Sequence, residues 1–235
     1  MNKRKHGMYE KYFKRCLDFF CALAAMLVFA WLYAIIAILV RVKLGSPIIF
    51  SQPRPGKDEK IFRMYKFRSM TDARDENGKL LPDEQRLTKF GKILRSTSLD
   101  ELPEAINILK GDMSVIGPRP QLVRDMVFMT SEQRKRHNVR PGLSGLAQTR
   151  GRNALDWDRK LETDLEYIER ITFVNDATII IDTVKQVFFR KNYHEDAVVD
   201  EVDIVEDYGD YLLNLGRVSK EEYDEKQKEA ESLLV

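Results

Sequence analysis

The stretch SLDELPEAINILKGDMSVIGPRP, residues 98–120, begins as a predicted helix and ends in a rigid turn. Ser98 and Glu101 have the S-x-x-E spacing of a capping box, which predicts that the helix starts at Ser98. Pro103 then falls in the first helical turn, where a missing N–H costs little. Gly111 is a suitable C-terminal cap, so the helix should end there.

The two adjacent carboxylates of this stretch, Asp100 and Glu101, have two interpretations. A carboxylate at a helix N-terminus stays ionised beside the positive end of the helix dipole, which also attracts phosphate. One interpretation is therefore a phosphate-handling centre, with one carboxylate as nucleophile and the other as base or metal ligand. The other is a plain helix cap, which these few residues alone favour. Arg119, held between two prolines, supports the first, because a rigid guanidinium suits bidentate contact with phosphate.

Charge is unevenly spread along the 235 residues, although the formal net charge is only +2. From Glu195 onward there are fourteen acidic and four basic residues, so the chain before that point carries +12. A basic body suits anionic partners such as lipid headgroups, nucleic acid or nucleotides. Cys16 and Cys21 are spaced to face different sides of a helix, so no disulfide is expected between them. The three scattered histidines suggest no zinc site.

The run from Leu17 to Val40 is apolar except for Asp18 near its start. As a helix its 24 residues would measure roughly 36 Å, enough for the ~30 Å hydrocarbon core of a bilayer. Basic residues flank both ends, so the positive-inside rule gives no clear orientation. A spanning helix and a re-entrant helix with both ends cytoplasmic stay open, because no proline or glycine breaks the run at its midpoint, Ala30-Trp31.

A β-hairpin is predicted directly after the membrane segment. Ile48–Phe50 and Ile61–Met70 have the pattern of strands joined by a Pro/Gly loop, and the second alternates with period two. That alternation puts Lys66 and Arg68 on one face, where they are candidates for contact with substrate phosphate. A basic strand lying on lipid headgroups is the alternative.

The segments around the central stretch add two more candidate residues. Leu87–Thr97 has helical spacing and places Arg95 within reach of Asp100. The loop around Gln148 contains glycines that permit the backbone to approach a ligand closely. The side-chain amide of Gln148 offers a donor and an acceptor to a base or a sugar.

The chain divides into three predicted regions: a basic N-terminus with the membrane segment (1–44), a cytoplasmic domain (45–194) and an acidic tail (195–235). The later helices of the domain, over 156–172 and 177–189, are amphipathic and suit either core packing or the bilayer surface. The tail is expected to be a mobile or partner-facing appendage. The predicted fold class is α+β and mostly helical, with one N-terminal membrane helix beside a small globular domain.

Four blocks, in order, resemble the bacterial sugar transferase family, the monotopic polyprenyl-phosphate phosphoglycosyl transferases. They are the basic N-terminus with its membrane segment, YKFRSM, LRSTSLDELPEAINILKGDMSVIGPRP and RPGLSGLAQTRGR. The resemblance reaches about residue 190 and makes a plain helix cap a poor explanation of Asp100 and Glu101. It implies a compact helical fold with a β-hairpin beside one re-entrant membrane helix.

The resemblance also implies a reaction. A phosphosugar would move from a UDP-sugar to polyprenyl phosphate, and UMP would leave. Asp100 matches the nucleophile of the family and would form a covalent aspartyl phosphosugar. Glu101 would bind Mg²⁺ or assist deprotonation of the acceptor phosphate. Mg²⁺ suits so small a set of acids, because it prefers few carboxylates together with phosphate oxygens.

Binding residues follow from the same resemblance. Arg119 matches the phosphate-anchoring arginine of the family, and Arg95 and Lys66 match basic positions that support it. Gln148 and Arg152 lie in the third sequence block and are the candidates for nucleotide recognition. Implied partners are the UDP-sugar, polyprenyl phosphate and membrane lipid, without nucleic acid. A homo-oligomer and downstream glycosyltransferases stay open as further partners.

The resemblance also implies a cellular location, and the sequence differs from the family pattern at two places. The implied location is the bacterial cytoplasmic membrane, with the catalytic domain facing the cytosolic donor. The family usually has a Ser-Pro pair that breaks the membrane helix, where this chain has Ala30-Trp31. Arg150 stands where relatives often have asparagine, a difference that is expected to alter the contacts with the UDP-sugar donor.

Two other functions remain as alternatives. A non-catalytic membrane scaffold would bind anionic lipid with strong salt dependence and would show no Mg²⁺-dependent turnover. A different membrane phosphotransferase, such as one using CDP-alcohols, would need several carboxylates inside the membrane. Only Asp18 lies near the apolar run.

Overall fold

A computed structural model describes residues 7–151, 156–189 and 207–234, with side chains described to residue 186 in the second range. The described chain is mostly helical and contains two small two-stranded sheets, which confirms that part of the predicted fold class. The helices are α1 Lys14–Val28, α2 Ala30–Leu44, α3 Asp83–Arg86, α4 Lys89–Ser96, α5 Glu104–Lys110, α6 Val123–Met126, α7 Leu146–Thr149, α8 Trp157–Glu169, α9 Phe173–Phe189, α10 Tyr208–Asn214 and α11 Lys220–Ser232. The strands are β1 Ile49–Pro55, β2 Ile61–Phe67, β3 Ser114–Ile116 and β4 Gly142–Ser144.

The N-terminal apolar run forms two helices instead of one. The helical segment that ends at Val28 and α2 are bent by 66° at a short break. Phe29, between them, departs from helical geometry with ψ at 12°. Among the described helices none is by itself long and apolar enough to cross a membrane, and only this bent pair meets that criterion of length and composition. Tyr33, one turn after the break, donates a hydrogen bond of 2.6 Å to the carbonyl of Leu102. Contact with the rest of the chain therefore helps to set the direction of α2.

Both arms of the helix pair are held by the same globular body. On α1, Arg15 donates to two carbonyls of α5 at 2.5 and 2.9 Å, and Asp18 accepts a bond of 2.6 Å from Ser114. On α2, Val40 is buried in a cluster that includes Phe67 of the hairpin. Unlike these buried contacts of the two arms, the bend between them exposes large apolar side chains: Leu27, Val28, Phe29 and Trp31.

The predicted β-hairpin is present. β1 and β2 are antiparallel, with Ile49 opposite Phe67 and Pro55 opposite Ile61. The fully buried Asn107 of α5 fastens β2, because its side chain accepts from one backbone N–H of the strand and donates to one carbonyl. This contact fixes the hairpin beside α5.

The second sheet pairs β3 with β4 in parallel, and glycines make the pairing possible. A Cβ on Gly142 would lie 2.1 Å from the backbone nitrogen of Gly117. A Cβ on Gly145 would lie 2.2 Å from the carbonyl oxygen of Gly117. These glycines therefore let two chain segments approach one another. The expectation that they serve close approach to a ligand is corrected accordingly.

The two amphipathic helices differ in their surroundings. α8 buries Trp157, Leu161 and Ile168, which confirms the core-packing interpretation for that helix. α9 buries Ile179 and leaves an apolar surface exposed. The exposed residues of that surface are Phe173, Val174, Ile180, Ile181 and Val184.

The described part of the acidic tail packs on the domain, so the expectation of a separate appendage is wrong for residues 207–234. Tyr208 and Leu212 are buried in one cluster with Phe128 and Trp157. The backbone N–H of Tyr208 donates to Asp125 at 3.0 Å. The prediction relied on the net charge of this segment and overlooked the apolar side chains through which it packs on the domain.

Candidate active site

A cavity of about 410 Å³ lies between the hairpin, the turn after α4 and the segment that follows β3. Five of the predicted site residues line it: Lys66, Arg95, Glu101, Arg119 and Gln148. Asp100 is buried, with 7% of its surface exposed, and is not itself part of the lining. Its charge nevertheless interacts with four of the five lining residues. The structure therefore brings most of the predicted site together.

The turn that carries the two carboxylates differs from the predicted capping box. Ser98 has a left-handed backbone, with φ at 55°, and its side chain makes no capping hydrogen bond. A capping residue would need an extended backbone. Asp100 and Glu101 instead lie in a short 3₁₀ turn, and α5 begins only at Glu104. The helix ends with Gly111 in the left-handed conformation, as predicted.

Glu101 is held by two cations. Its Oε1 accepts hydrogen bonds from Lys66 at 2.8 Å and from Arg119 at 2.5 Å. Burial alone would raise the pKa of Glu101, but Arg119 and Lys66 outweigh it and hold that pKa well below the ordinary value. In turn, Glu101 raises the pKa of Arg119. Glu101 is thus a permanent carboxylate and a poor proton acceptor.

Asp100 has a different environment. Burial raises the pKa of its carboxyl above the ordinary value, and the charge of Glu101 adds to that rise. Lys66, Arg95 and Arg119 limit it. A carboxylate of raised basicity beside three cations combines a stronger nucleophile with a place for phosphate charge.

Glu104 is a third carboxylate that sequence reasoning missed. It is 2% exposed, and its Oε1 lies 3.3 Å from the ammonium nitrogen of Lys66 without forming a hydrogen bond within the described chain. Burial raises the pKa of Glu104 to about 7. Its position three residues after Glu101, behind Pro103, was the signal available in the sequence.

Replacing Glu104 by glutamine should make the detergent-solubilised protein more stable than wild type at about pH 8 and leave stability unchanged near pH 4.5. The pKa of Glu104 is higher in the folded protein than in the unfolded chain. Between about pH 4.5 and pH 8, folded wild type therefore binds more protons than the unfolded chain does. Its free energy of unfolding therefore falls as pH rises. The raised pKa corresponds to about 3 kcal/mol once Glu104 is ionised. Urea unfolding at both pH values measures the difference. Glu132→Gln, at an exposed glutamate, is the control.

A loss of stability of equal size at both pH values would contradict this expectation for Glu104→Gln. It would show that the side chain acts through contacts independent of its charge.

A buried ion pair holds the backbone of Arg119 in place. Arg136 is buried, donates to Asp164 at 2.6 Å and also donates to the carbonyl of Arg119 at 2.6 Å. Together with the flanking prolines, this pair fixes the position from which the guanidinium reaches Glu101. Arg136 is not among the predicted site residues, because its partner Asp164 is 28 residues away in sequence.

The predicted phosphate contact of Arg68 is not supported by its position. Strand β2 ends at Phe67, so the alternation that placed Arg68 beside Lys66 stops one residue too early. The guanidinium of Arg68 instead donates to the carbonyls of Met70 and Ser46 and pairs with Asp72. Its role is to tie together the chain that flanks the hairpin.

The residues predicted for nucleotide recognition have different outcomes. Gln148 lies on α7 and lines the cavity, and its Oε1 is buried without a hydrogen-bond partner in the described chain. That oxygen suits a donor group of a ligand. Arg152 lies outside the described residues. Arg150, the departure from the family pattern, pairs with Glu166 at the surface, away from the cavity lining.

Five further charged residues of the cavity were missed, among them Arg54 and Asp207. Arg54 comes from β1, and Asp207 comes from the tail, where it pairs with Arg124 at 2.6 Å. Pro53-Arg54-Pro55 has the same pattern as Pro118-Arg119-Pro120, and this was the signal that could have revealed Arg54.

Comparison with known proteins identifies the family of the chain. The family described as bacterial sugar transferase matches residues 9–190. The chain belongs to this family. The matched range contains every predicted site residue and both arms of the bent helix pair, whereas Asp207 and the rest of the described tail lie beyond it.

Relatives of this sugar transferase include the uncharacterized sugar transferase EpsL of Bacillus subtilis, 51% identical over 148 residues, which cover 63% of this chain and 73% of EpsL. The galactosyl transferase CpsE of Streptococcus agalactiae is 40% identical over 188 residues, 74% of this chain and 42% of CpsE. The UDP-glucose:undecaprenyl-phosphate glucose-1-phosphate transferase of Klebsiella pneumoniae is 37% identical over 190 residues, 77% of this chain and 41% of that protein. The chain spans less than half the length of the last two.

Proposed function

We propose that this sugar transferase moves a sugar phosphate from a UDP-sugar to polyprenyl phosphate and releases UMP, as a membrane step of bacterial polysaccharide assembly. The observation that carries the proposal is the set of three cations, Lys66, Arg95 and Arg119, around the carboxylates of Asp100 and Glu101. Such a set suits a diphosphate beside a nucleophile. The names of the relatives support this donor and acceptor. They differ in the sugar, so no sugar is assigned.

The proposed reaction has two steps. First, an oxygen of ionised Asp100 turns toward the cavity and bonds to the β-phosphorus of the donor. The bond from that phosphorus to the bridging oxygen breaks, and UMP leaves with the bridging oxygen. Next, a phosphate oxygen of polyprenyl phosphate attacks the aspartyl phosphosugar, and the carboxylate of Asp100 is released. Arg119 and Lys66 balance the phosphate charge throughout.

Mg²⁺ is part of the proposal. The described residues contain no group of three His, Cys, Asp or Glu side chains arranged to hold a metal ion. Mg²⁺ is commonly held by one or two carboxylates together with substrate phosphates. Glu101 fits that pattern, because the hydrogen bonds from Lys66 and Arg119 both use its Oε1. When bound, the ion would neutralise charge on the donor phosphates. The low pKa of Glu101 favours this role over that of a base.

The bent helix pair supports a re-entrant membrane segment with both ends cytoplasmic. Both arms contact one globular body, and the large apolar side chains of the bend are exposed. The exposed apolar surface of α9 begins beside the start of the pair, where Tyr9 packs edge-to-face on Phe173. Lys14 and Asp176 join the same two elements at 2.5 Å. We place the bend and this surface in one leaflet of the cytoplasmic membrane.

Single cysteines at positions 5 and 60 test this topology in intact cells. The background replaces Cys16 and Cys21 by serine, and Lys5→Cys and Lys60→Cys are introduced one at a time. Neither cysteine should react with a membrane-impermeant maleimide until the cells are lysed. Reaction from outside at either position would contradict a re-entrant segment with cytoplasmic ends.

The catalytic proposal is tested by UMP release. Membranes containing the protein are incubated with Mg²⁺, polyprenyl phosphate and, in turn, UDP-glucose, UDP-galactose and their N-acetyl forms. We expect release of UMP with at least one donor and formation of a lipid-linked diphosphosugar. If no donor supports release while the protein binds anionic vesicles in a salt-dependent way, the scaffold alternative replaces the proposal.

A further inference from the structure

Arg54 is a partly buried cation of the cavity, without an ion-pair partner in the described chain. Its Nε is buried and makes no hydrogen bond there, and Nη2 donates to Gln52 at 2.8 Å. The carboxylate of Asp125 acts on it electrostatically, but both of its oxygens accept backbone N–H groups, from Leu122 and Tyr208. Burying an N–H donor without a hydrogen bond is costly, so Nε of this guanidinium is suited to an acceptor atom of a ligand.

Arg54 and Arg119 line the same cavity, and the charge of Arg119 acts on both Arg54 and the nucleophile. The charges that act most strongly on Asp100 are those of Lys66, Glu101, Arg95 and Arg119. Those that act most strongly on Arg54 are Arg119, Asp125, Glu104 and Arg124. Arg119 is common to both sets. It is neutralised by Glu101, whereas Arg54 is not paired in this way.

Two cations in one cavity repel each other unless an anion separates them. Burial and the charge of Arg119 together lower the pKa of Arg54 to about 10. A diphosphate supplies two adjacent anionic groups, and a phosphate between the two guanidinium groups would relieve this repulsion.

We propose that Arg54 binds the α-phosphate of the nucleotide donor, the phosphate that leaves with UMP. This inference rests on the proposed function and deepens it. The β-phosphate, which must reach Asp100, then lies on the Asp100 side of Arg119, and the α-phosphate lies on the Arg54 side. The prolines on either side of Arg54 fix its backbone, as they do for Arg119, so the two arginines form a rigid pair that spans the diphosphate.

The test compares UMP with uridine as inhibitors of the purified full-length protein. Wild type should bind UMP more tightly than uridine, and the ratio of the two inhibition constants reports the contribution of the phosphate. In Arg54→Gln this ratio should shrink by about 10- to 100-fold, as expected for loss of a charged hydrogen bond. The inhibition constant of uridine itself should stay the same. Arg63→Gln, an exposed arginine on the same hairpin, is the matched control and should leave the ratio unchanged.

Three outcomes would overturn the inference. In the first, Arg54→Gln weakens UMP and uridine equally, which indicates a structural role. In the second, the ratio is unchanged but the KM for polyprenyl phosphate rises, which places the acceptor phosphate at Arg54. In the third, wild type binds UMP no better than uridine, which defeats the nucleotide assignment and this subsite with it. Should the glutamine variant fail to fold, Arg54→Lys, which keeps the charge but loses the paired donors of the guanidinium, should show a partial fall in the ratio, and an equal weakening of UMP and uridine would overturn the inference.

Discussion

Replacing Asp100 by asparagine should reduce UMP release by a factor on the order of 10³ or more, because asparagine cannot form the acyl phosphate bond. The amide keeps the size of the side chain, so the buried turn should stay intact. The rate of UMP release with a productive UDP-sugar and polyprenyl phosphate measures the effect. Circular dichroism and uridine binding check that the variant is folded.

Asp83→Asn is the control for this change, because Asp83 is an exposed aspartate that pairs with Arg86 a turn away. It should leave UMP release at the wild-type rate. If Asp100→Asn also retained most of the wild-type rate, the nucleophilic role of Asp100 would be wrong.

Replacing Arg119 by glutamine should lower kcat by about 10²- to 10³-fold, which is the size expected when a preorganised donor to a reacting phosphate is lost. The variant should also become sensitive to acid. In wild type, Arg119 helps to hold the pKa of Glu101 well below its ordinary value, so this carboxylate stays ionised at every usable pH. Without Arg119, burial raises that pKa, and Glu101 becomes protonated as the pH falls.

A pH–rate profile of Arg119→Gln therefore should show an acid limb displaced to higher pH relative to wild type. Arg159→Gln, at an exposed arginine paired with Glu162, is the control and should keep the wild-type profile. A uniform loss of rate with an unchanged acid limb would mean that the charge of Glu101 is not needed for the reaction.

The parts of the fold that sequence could predict are those set by local chemistry. Alternation and a Pro/Gly loop give the hairpin, Gly111 ends α5, and the prolines hold the backbone at Arg119. The prediction of Asp100 and Glu101 as a pair with Lys66, Arg95 and Arg119 needed the resemblance as well as the residues. The structure brings Glu101, Lys66, Arg95 and Arg119 to one cavity and buries Asp100 next to Glu101, whereas the catalytic roles of these residues stay predictions.

What sequence could not predict depends on contacts between distant segments. The bend at Phe29 has no proline or glycine to mark it, and one of the contacts that direct α2 comes from Leu102. The capping-box spacing of Ser98 and Glu101 was misleading, because the chain turns through a left-handed Ser98 before α5 begins. Glu104 looked like an ordinary first-turn glutamate until burial against Lys66 was visible.

The acidic tail shows the limit of reasoning from charge. Its fourteen acidic residues suggested a mobile or partner-facing appendage. Spaced among them, Tyr208, Leu212 and Ala230 form an apolar face that packs against Phe128. Asp207 reaches the cavity as a result of this packing. Whether such an apolar face is docked or exposed depends on the surface that it meets in the folded protein, which the sequence of the tail does not show.

The central claim, a covalent aspartyl phosphosugar at Asp100, is tested most directly by intact-protein mass spectrometry. The purified protein is mixed with a productive UDP-sugar and Mg²⁺ in the absence of polyprenyl phosphate, and its mass is measured before and after acceptor is added. We predict a gain equal to one sugar phosphate, located on the peptide that contains Asp100, absent in Asp100→Asn and lost when acceptor is supplied. UMP release that strictly requires the acceptor, with no change in protein mass at any time, would contradict the account.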